Sequence, residues 1–292
     1  MIARTACICS MVSLLSFASA SAQVAPQPTP IPQEPLEPDR PDVTNGTHIV
    51  DTGLLQIEFG GMFTHSSPDQ RAFGSPFTAR VGVAEWLEAR IGTDGLLSQT
   101  DARGSAMGVG NLQVGAKLRL WADPGGVPVL SILPAINIPT ASAEKGLGSG
   151  DADFLVAVLT GHDVGARGHI DYNYGIGEIG AGGGLPHFVQ HLVSVSASYA
   201  ATPKWNPYFE VFWFSKQDVD SSSMTASDFG AIYIVSPRFA IDGGLQVGLS
   251  RAAPDIGVFA GISVVVGDVL GSHGVHERQR TAEKRSRARP RH

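Results

Sequence analysis

From Gly53 to Val266 the chain alternates apolar and polar residues with a period of two, the pattern of a β-strand whose two faces meet different surroundings. Over 53–64, Leu55, Ile57, Phe59 and Phe63 fall on one face and Gln56, Glu58, Gly60 and Thr64 on the other. Over 111–121, Leu112, Val114, Ala116, Leu118 and Leu120 oppose Asn111, Gln113, Gly115, Lys117, Arg119 and Trp121. Over 240–250, Ile241, Leu245, Val247 and Leu249 oppose Asp242, Gly244, Gln246, Gly248 and Ser250. The same template predicts twelve strands, at 53–65, 76–84, 86–98, 108–121, 127–140, 151–164, 167–180, 188–201, 206–217, 227–236, 239–250 and 255–266. The sixth and tenth alternate poorly, and Ile232 and Ile234 fall on a face that otherwise reads as polar.

The links alternate too. After the even-numbered strands up to the tenth they are tight: Glu85, Asp123-Pro124-Gly125-Gly126, Gly165-Ala166, Pro203-Lys204-Trp205 and Pro237-Arg238. After the odd-numbered strands up to the ninth they are longer and rich in Gly, Ser and Asp, as at 141–150 and 218–226. Short turns at one end and long loops at the other predict an all-β, antiparallel transmembrane β-barrel of about 12 strands, with short periplasmic turns and longer extracellular loops. Trp86, Trp121 and Trp205 all lie beside short turns, where an aromatic girdle belongs. A sheet in lipid has no viable edge and must close, whereas a secreted sandwich or solenoid would set large apolar residues on its inner face and charges outside. Here the polar face is crowded with Gly and Ser, which suits a narrow lumen.

Composition sharpens this reading. Charged residues are 16% of the chain, Gly is 35 of 292 residues, and mean hydropathy is +0.06, so neither a disordered chain nor an ordinary soluble helical enzyme fits. Past the N-terminus every stretch long enough for a helical span is interrupted by Gly, Pro or charge. The N-terminus holds Arg4, an apolar run from Ala6 to Phe17 and two small-x-small sites ending at Ala22, so residues 1–22 read as a secretory signal peptide. Cys7 and Cys9 lie inside it, which leaves no thiol chemistry and no disulfide after cleavage. Seven prolines between Pro26 and Pro41 make 23–52 a solvated, Pro-rich periplasmic spacer. The barrel covers 53–267, and 268–292 reads as a basic disordered tail, with a net charge of +5 over 273–292. Residues 23–272 carry a net charge of −12. An exported tail meets anionic envelope lipid or sugar rather than nucleic acid.

Projected inward, the alternation gives a lumenal set of Glu58, Arg80, Glu88, Arg90, Asp94, Lys117, Arg119, Asp171, Glu210 and Asp242. These charges form either a transverse field that orients a small solute or the salt-bridged filling of a plugged lumen. Metal and catalytic readings are weak. His162 with His169, and His187 with His191, lack a carboxylate at ligand spacing. His191 and Ser194, three residues apart, fall on opposite faces of a strand, which argues against a hydrolase. Gly175-Ile176-Gly177 and Gly182-Gly183-Gly184 precede no helix and are not phosphate loops. No enzyme activity, cofactor or metal is expected.

Asp39-Arg40-Pro41-Asp42, followed by Gly53-Leu54-Leu55-Gln56-Ile57-Glu58, resembles the N-terminal signature of the family called Putative MetA-pathway of phenol degradation. Glu85 to Gly92, Gly108 to Lys117 and Ile136 to Thr140 resemble its later motifs, with Asn111 and Ala141 standing where the family has Asp and Gly. The resemblance implies an outer-membrane barrel of a Gram-negative bacterium, linked to aromatic-compound degradation, labelled a transporter and carrying no catalytic residues. The basic tail after Val266 departs from it. The expected function is passive uptake or exchange of small molecules, aromatic compounds among them. The partners are then outer-membrane lipid and a small-molecule solute. The alternative is a structural or adhesive barrel with a closed lumen, presenting loops 66–76 and 141–150.

Overall fold

The computed structural model describes residues 36–66, 69–102, 104–121 and 128–271. The expected signal peptide, the spacer up to residue 35, the turn at 123–126 and the tail beyond 271 lie outside them. The described strands are β1 (Leu54–Ser66), β2 (Gln70–Gly74), β3 (Phe77–Ala84), β4 (Leu87–Thr93), β5 (Leu96–Asp101), β6 (Gly104–Val109), β7 (Leu112–Trp121), β8 (Val129–Ile138), β9 (Asp153–Val164), β10 (Gly168–Ile179), β11 (Phe188–Tyr199), β12 (Trp205–Phe214), β13 (Met224–Ser236), β14 (Phe239–Gly248) and β15 (Ile256–Asp268).

All pair antiparallel in one sheet, and β15 returns to pair with β1 from Leu54↔Asp268 to His65↔Ile256, closing a barrel. β2 with β3, β4 with β5, and β6 with β7 each run as one barrel strand, interrupted at Ser75-Pro76, Asp94-Gly95 and Gly110-Asn111. The barrel therefore has twelve strands, as the alternation predicts. Pro76 has no N–H and Gly95 has φ +69°, so the ladder breaks there, but backbone bonds from Ser75 to Leu96, Asp94 to Asn111 and Gly110 to Gly95 bridge the gaps. Residues 70–74, expected within a loop, are β2, and the sheet rises above the breaks as β2, β5 and β6.

Parity sorts the side chains. Phe59, Ile91, Val114, Val156, Val193, Phe209 and Leu245 are exposed on the outer face, with Trp86, Trp121 and Trp205 beside the short-turn end. This is the apolar band and girdle a bilayer requires. Inside, directly paired residues form rows. One runs Asp171–Ser196–Glu210–Asp228–Gln246 across β10 to β14. The next but one runs Leu133–Ala157–Gly175–Leu192–Phe214 across β8 to β12.

The second row corrects the expectation of an inner face made of Gly, Ser and charge, because part of the inner wall is apolar. Ile234, the residue that spoiled the tenth strand's alternation, also points inward. It packs with Leu36, Val50, Leu54, Ala240 and Val265 in a buried cluster at the short-turn end. An apolar residue inside is stable here because something fills the lumen against it.

An outward charge should report the bilayer directly. Val193→Arg, halfway along β11, is expected to cost about 2–4 kcal/mol, and Val189→Arg, near the long-loop rim, about 0–1 kcal/mol. Urea unfolding in lipid vesicles checks the depth dependence, and equal costs would contradict the assigned span.

Candidate functional site

What fills the lumen is the chain itself. Residues 36–52, expected as part of a solvated spacer, enter from the short-turn end, where the Leu36 amide bonds the Pro237 carbonyl. They reach Asn45, which exchanges two 2.8 Å bonds with Asn173 of β10, and return to Gly53, whose amide bonds Gly82. Prolines explain why a spacer was expected: they forbid helix and ladder. They do not forbid an extended segment whose remaining amides find acceptors on a surrounding wall, and that is the correction.

The wall supplies those acceptors as side chains. Glu58 accepts the amides of Asp39 and Arg40 at 3.2 and 3.1 Å, Glu88 that of Val50 at 2.9 Å, and Glu210 those of Val43 and Thr44 together with the Thr44 hydroxyl. Lys117 donates to the Gly46 and His48 carbonyls, Arg80 to those of Glu37 and His48, and Ser131 to that of Thr47. Each replaces a hydrogen bond to water that burial removes.

The side chains of Asp39 and Arg40 point to different walls. Asp39 enters a basic pocket, 2.6 Å from Arg90, 2.8 Å from Lys117 and 3.4 Å from Arg80. Arg80 also holds Glu58 at 2.6 Å and Glu88 at 2.9 Å, so three cations face three carboxylates. Arg80, Glu88 and Lys117 are 0% exposed. Burial alone would raise the Asp39 carboxyl; Arg80, Lys117 and Arg90 outweigh it and hold the group well below the usual carboxylate range.

Arg40 reaches the other way to Asp242 at 3.0 Å. Its guanidinium lies over Gly60 and Gly261, directly paired residues of β1 and β15, where a Cβ on either glycine would overlap it. Asp42 bonds Ser196 beside the acidic row, and burial and then the Glu210 carboxylate push its carboxyl well above the ordinary value.

Of the ten residues projected inward, Glu58, Arg80, Glu88, Arg90 and Lys117 meet around Asp39, while Glu210 and Asp242 grip the same segment from across the lumen. Asp171 lies lower, 3.2 Å from His169, and lines with Arg119 a cavity of about 800 Å³ open beside the short turn at 165–167. Asp94 stands apart and exposed, at the strand break, bonding the Asn111 amide at 3.1 Å.

The projection missed Asp228, inward between Glu210 and Gln246, because its strand's phase was obscured by Ile232 and Ile234. Asp39, Arg40, Asp42 and Thr44 were missed because they belong to no strand; the D-R-P-D motif was their signal. His191 bonds the Tyr174 hydroxyl on the outer face while Ser194 bonds Thr44 inside, so the two do not act together. Among the described residues no group of His, Cys, Asp and Glu is placed to hold a metal.

Removing the Asp39 charge leaves three buried cations against two carboxylates. Asp39→Asn is expected to cost about 3–5 kcal/mol in denaturant unfolding of the vesicle-inserted barrel. Gly60→Val is expected to expel Arg40 and expose residues 36–52 to hydrogen exchange, while Gly267→Val, with open space at its Cβ, should leave their protection unchanged.

Comparison with known proteins accords with this architecture. The family described as Putative MetA-pathway of phenol degradation matches residues 38–265, a span that takes in nearly all of both the lumenal segment and the barrel. Among solved structures, the COG4313 outer membrane channel from Pseudomonas putida F1 is similar with a TM-score of 0.62 and 14% identity, over 77% of this chain and all (100%) of that one. The NanC porin is similar with a TM-score of 0.50 and 11% identity, over 72% of this chain and 98% of its own. No curated protein sequence matches the chain. One neighbour is an outer membrane channel and the other a porin, so the fold is that of outer-membrane channels and porins. The chain belongs to the Putative MetA-pathway of phenol degradation family.

Proposed function

We propose that this protein sits in the outer membrane and mediates passive uptake or exchange of small molecules, aromatic compounds among them, through a lumen that residues 36–52 close at rest. The observation that carries the reading is that the lumen is filled by a segment preceding β1 rather than by wall side chains meeting across it. The segment is held largely by hydrogen bonds and ion pairs, which water and a polar solute can exchange. A wall-filled lumen has no comparable way to empty.

The roles follow. Glu58, Arg80, Glu88, Arg90 and Lys117 form the basic wall, and Glu210 and Asp242, with Asp228, form the acidic one. Arg119 and Asp171 line the short-turn vestibule, and Asp94 stands toward the long loops. With opposite charge on facing walls, the open lumen imposes a transverse field on a passing solute. No reaction, cofactor or metal enters this reading. The apolar inner row of Leu133, Leu192 and Phe214 favours solutes with a flat apolar part. The basic tail is the part of the chain suited to anionic surfaces of the envelope.

The competing reading, a closed structural or adhesive barrel, is favoured by one observation: the cluster around Leu36 and Val50 seals the short-turn end with apolar side chains. Planar-bilayer conductance and liposome swelling separate the two. Wild type is expected to conduct weakly, and the Asp39→Ala/Arg40→Ala variant at least several-fold more, with matching swelling in small sugars. Absence of current and of swelling in both proteins supports the closed barrel and rejects passage.

A further inference from the structure

Resting on that reading, we infer that the vacated lumen binds solutes carrying a carboxylate and a cationic nitrogen at separated positions, the carboxylate among Arg80, Arg90 and Lys117 and the cation at Asp242. Short peptides and long-chain amino acids are the simplest members of this class.

The resident dipeptide is the evidence. Asp39 and Arg40 place one carboxylate and one cation at separate stretches of the wall, β4 and β7 for the first and β14, four and five strands away, for the second, and each charged group meets its counter-charge there. When Asp39 leaves, Arg80, Arg90 and Lys117 are left with Glu58 and Glu88 alone, an excess of one positive charge in a site from which water was excluded. An incoming carboxylate restores the balance.

When Arg40 leaves, Asp242, paired with Ile232, loses its cation, while the acidic row of Asp171, Glu210 and Asp228 remains farther along the same side of the wall. The Gly60–Gly261 pair then leaves an open slot beside Asp242, shaped by the guanidinium it held. A solute with only a carboxylate satisfies the basic pocket but faces the acidic row unpaired. A solute with only a cation does the reverse. Only a doubly charged solute answers both walls, as the chain's own segment does.

The test uses three solutes of one carbon length: 6-aminohexanoate, hexanoate and hexylammonium. In planar bilayers of the Asp39→Ala/Arg40→Ala variant, 6-aminohexanoate is expected to halve the current at a concentration at least ten-fold below either single-charge analogue. Adding Asp242→Asn should abolish its advantage over hexanoate. In wild type, 6-aminohexanoate competes with the resident pair and is expected to raise the frequency of opening, which neither analogue does; this second measurement stands if the variant does not insert. Equal block by all three solutes, with current present and wild-type openings unmoved, overturns the inference and leaves passage intact. Silence of both proteins in every condition overturns passage and the inference together.

Discussion

A carboxylate buried among Arg80, Arg90 and Lys117 is the contact on which the inner architecture depends. Taking three cations out of water is costly, and two wall carboxylates do not neutralise them. Asp39 supplies the third negative charge, and because it lies on a segment and not on a strand, charge balance in the wall and occupancy of the lumen become one condition. The remaining contacts follow from this anchor. Once Asp39 is seated, its own amide and that of Arg40 lie beside Glu58, and the Arg40 side chain is carried toward Asp242.

The outer architecture answers to a different constraint. In hydrocarbon an unpaired backbone group has no partner, so β15 must meet β1 and every outward side chain must tolerate lipid. The two constraints meet in the glycines. Gly60 and Gly261 keep the ladder while clearing space for Arg40, and Gly82 does the same for the backbone at Val50 and Asp51. Small residues on the inner face therefore record where another part of the chain approaches, rather than a general narrowness of the lumen.

This explains how much could be read in the sequence. Strand number, closure and the inward set came from a period of two, since lipid outside and polar groups inside act on every strand in the same way. The reading weakened wherever that uniformity failed. In the tenth predicted strand Ile232 and Ile234 face a filled lumen, so burial inside mimics lipid outside and the phase is lost at Asp228. At Ser75-Pro76 the strand continues past a break that reads as a terminus, whereas the strands predicted at 86–98 and 108–121 run through the breaks at Asp94-Gly95 and Gly110-Asn111 without marking them. The lumenal segment was hidden for another reason: its prolines report what its backbone cannot do, while its fold is dictated by acceptors far away in sequence, such as Glu210 and Asn173.

Consecutive residues that bond strands four and five apart in a twelve-strand cylinder do more than occupy it. Asp39 is fastened to β4 and β7 and Arg40 to β14, so a single peptide linkage works as a tie-rod across the hoop of strands. Such a brace fixes the cross-section while it is in place and frees it to change outline when either end lets go. The girth of this barrel is thus set partly from within, by a short piece of chain that precedes its first strand.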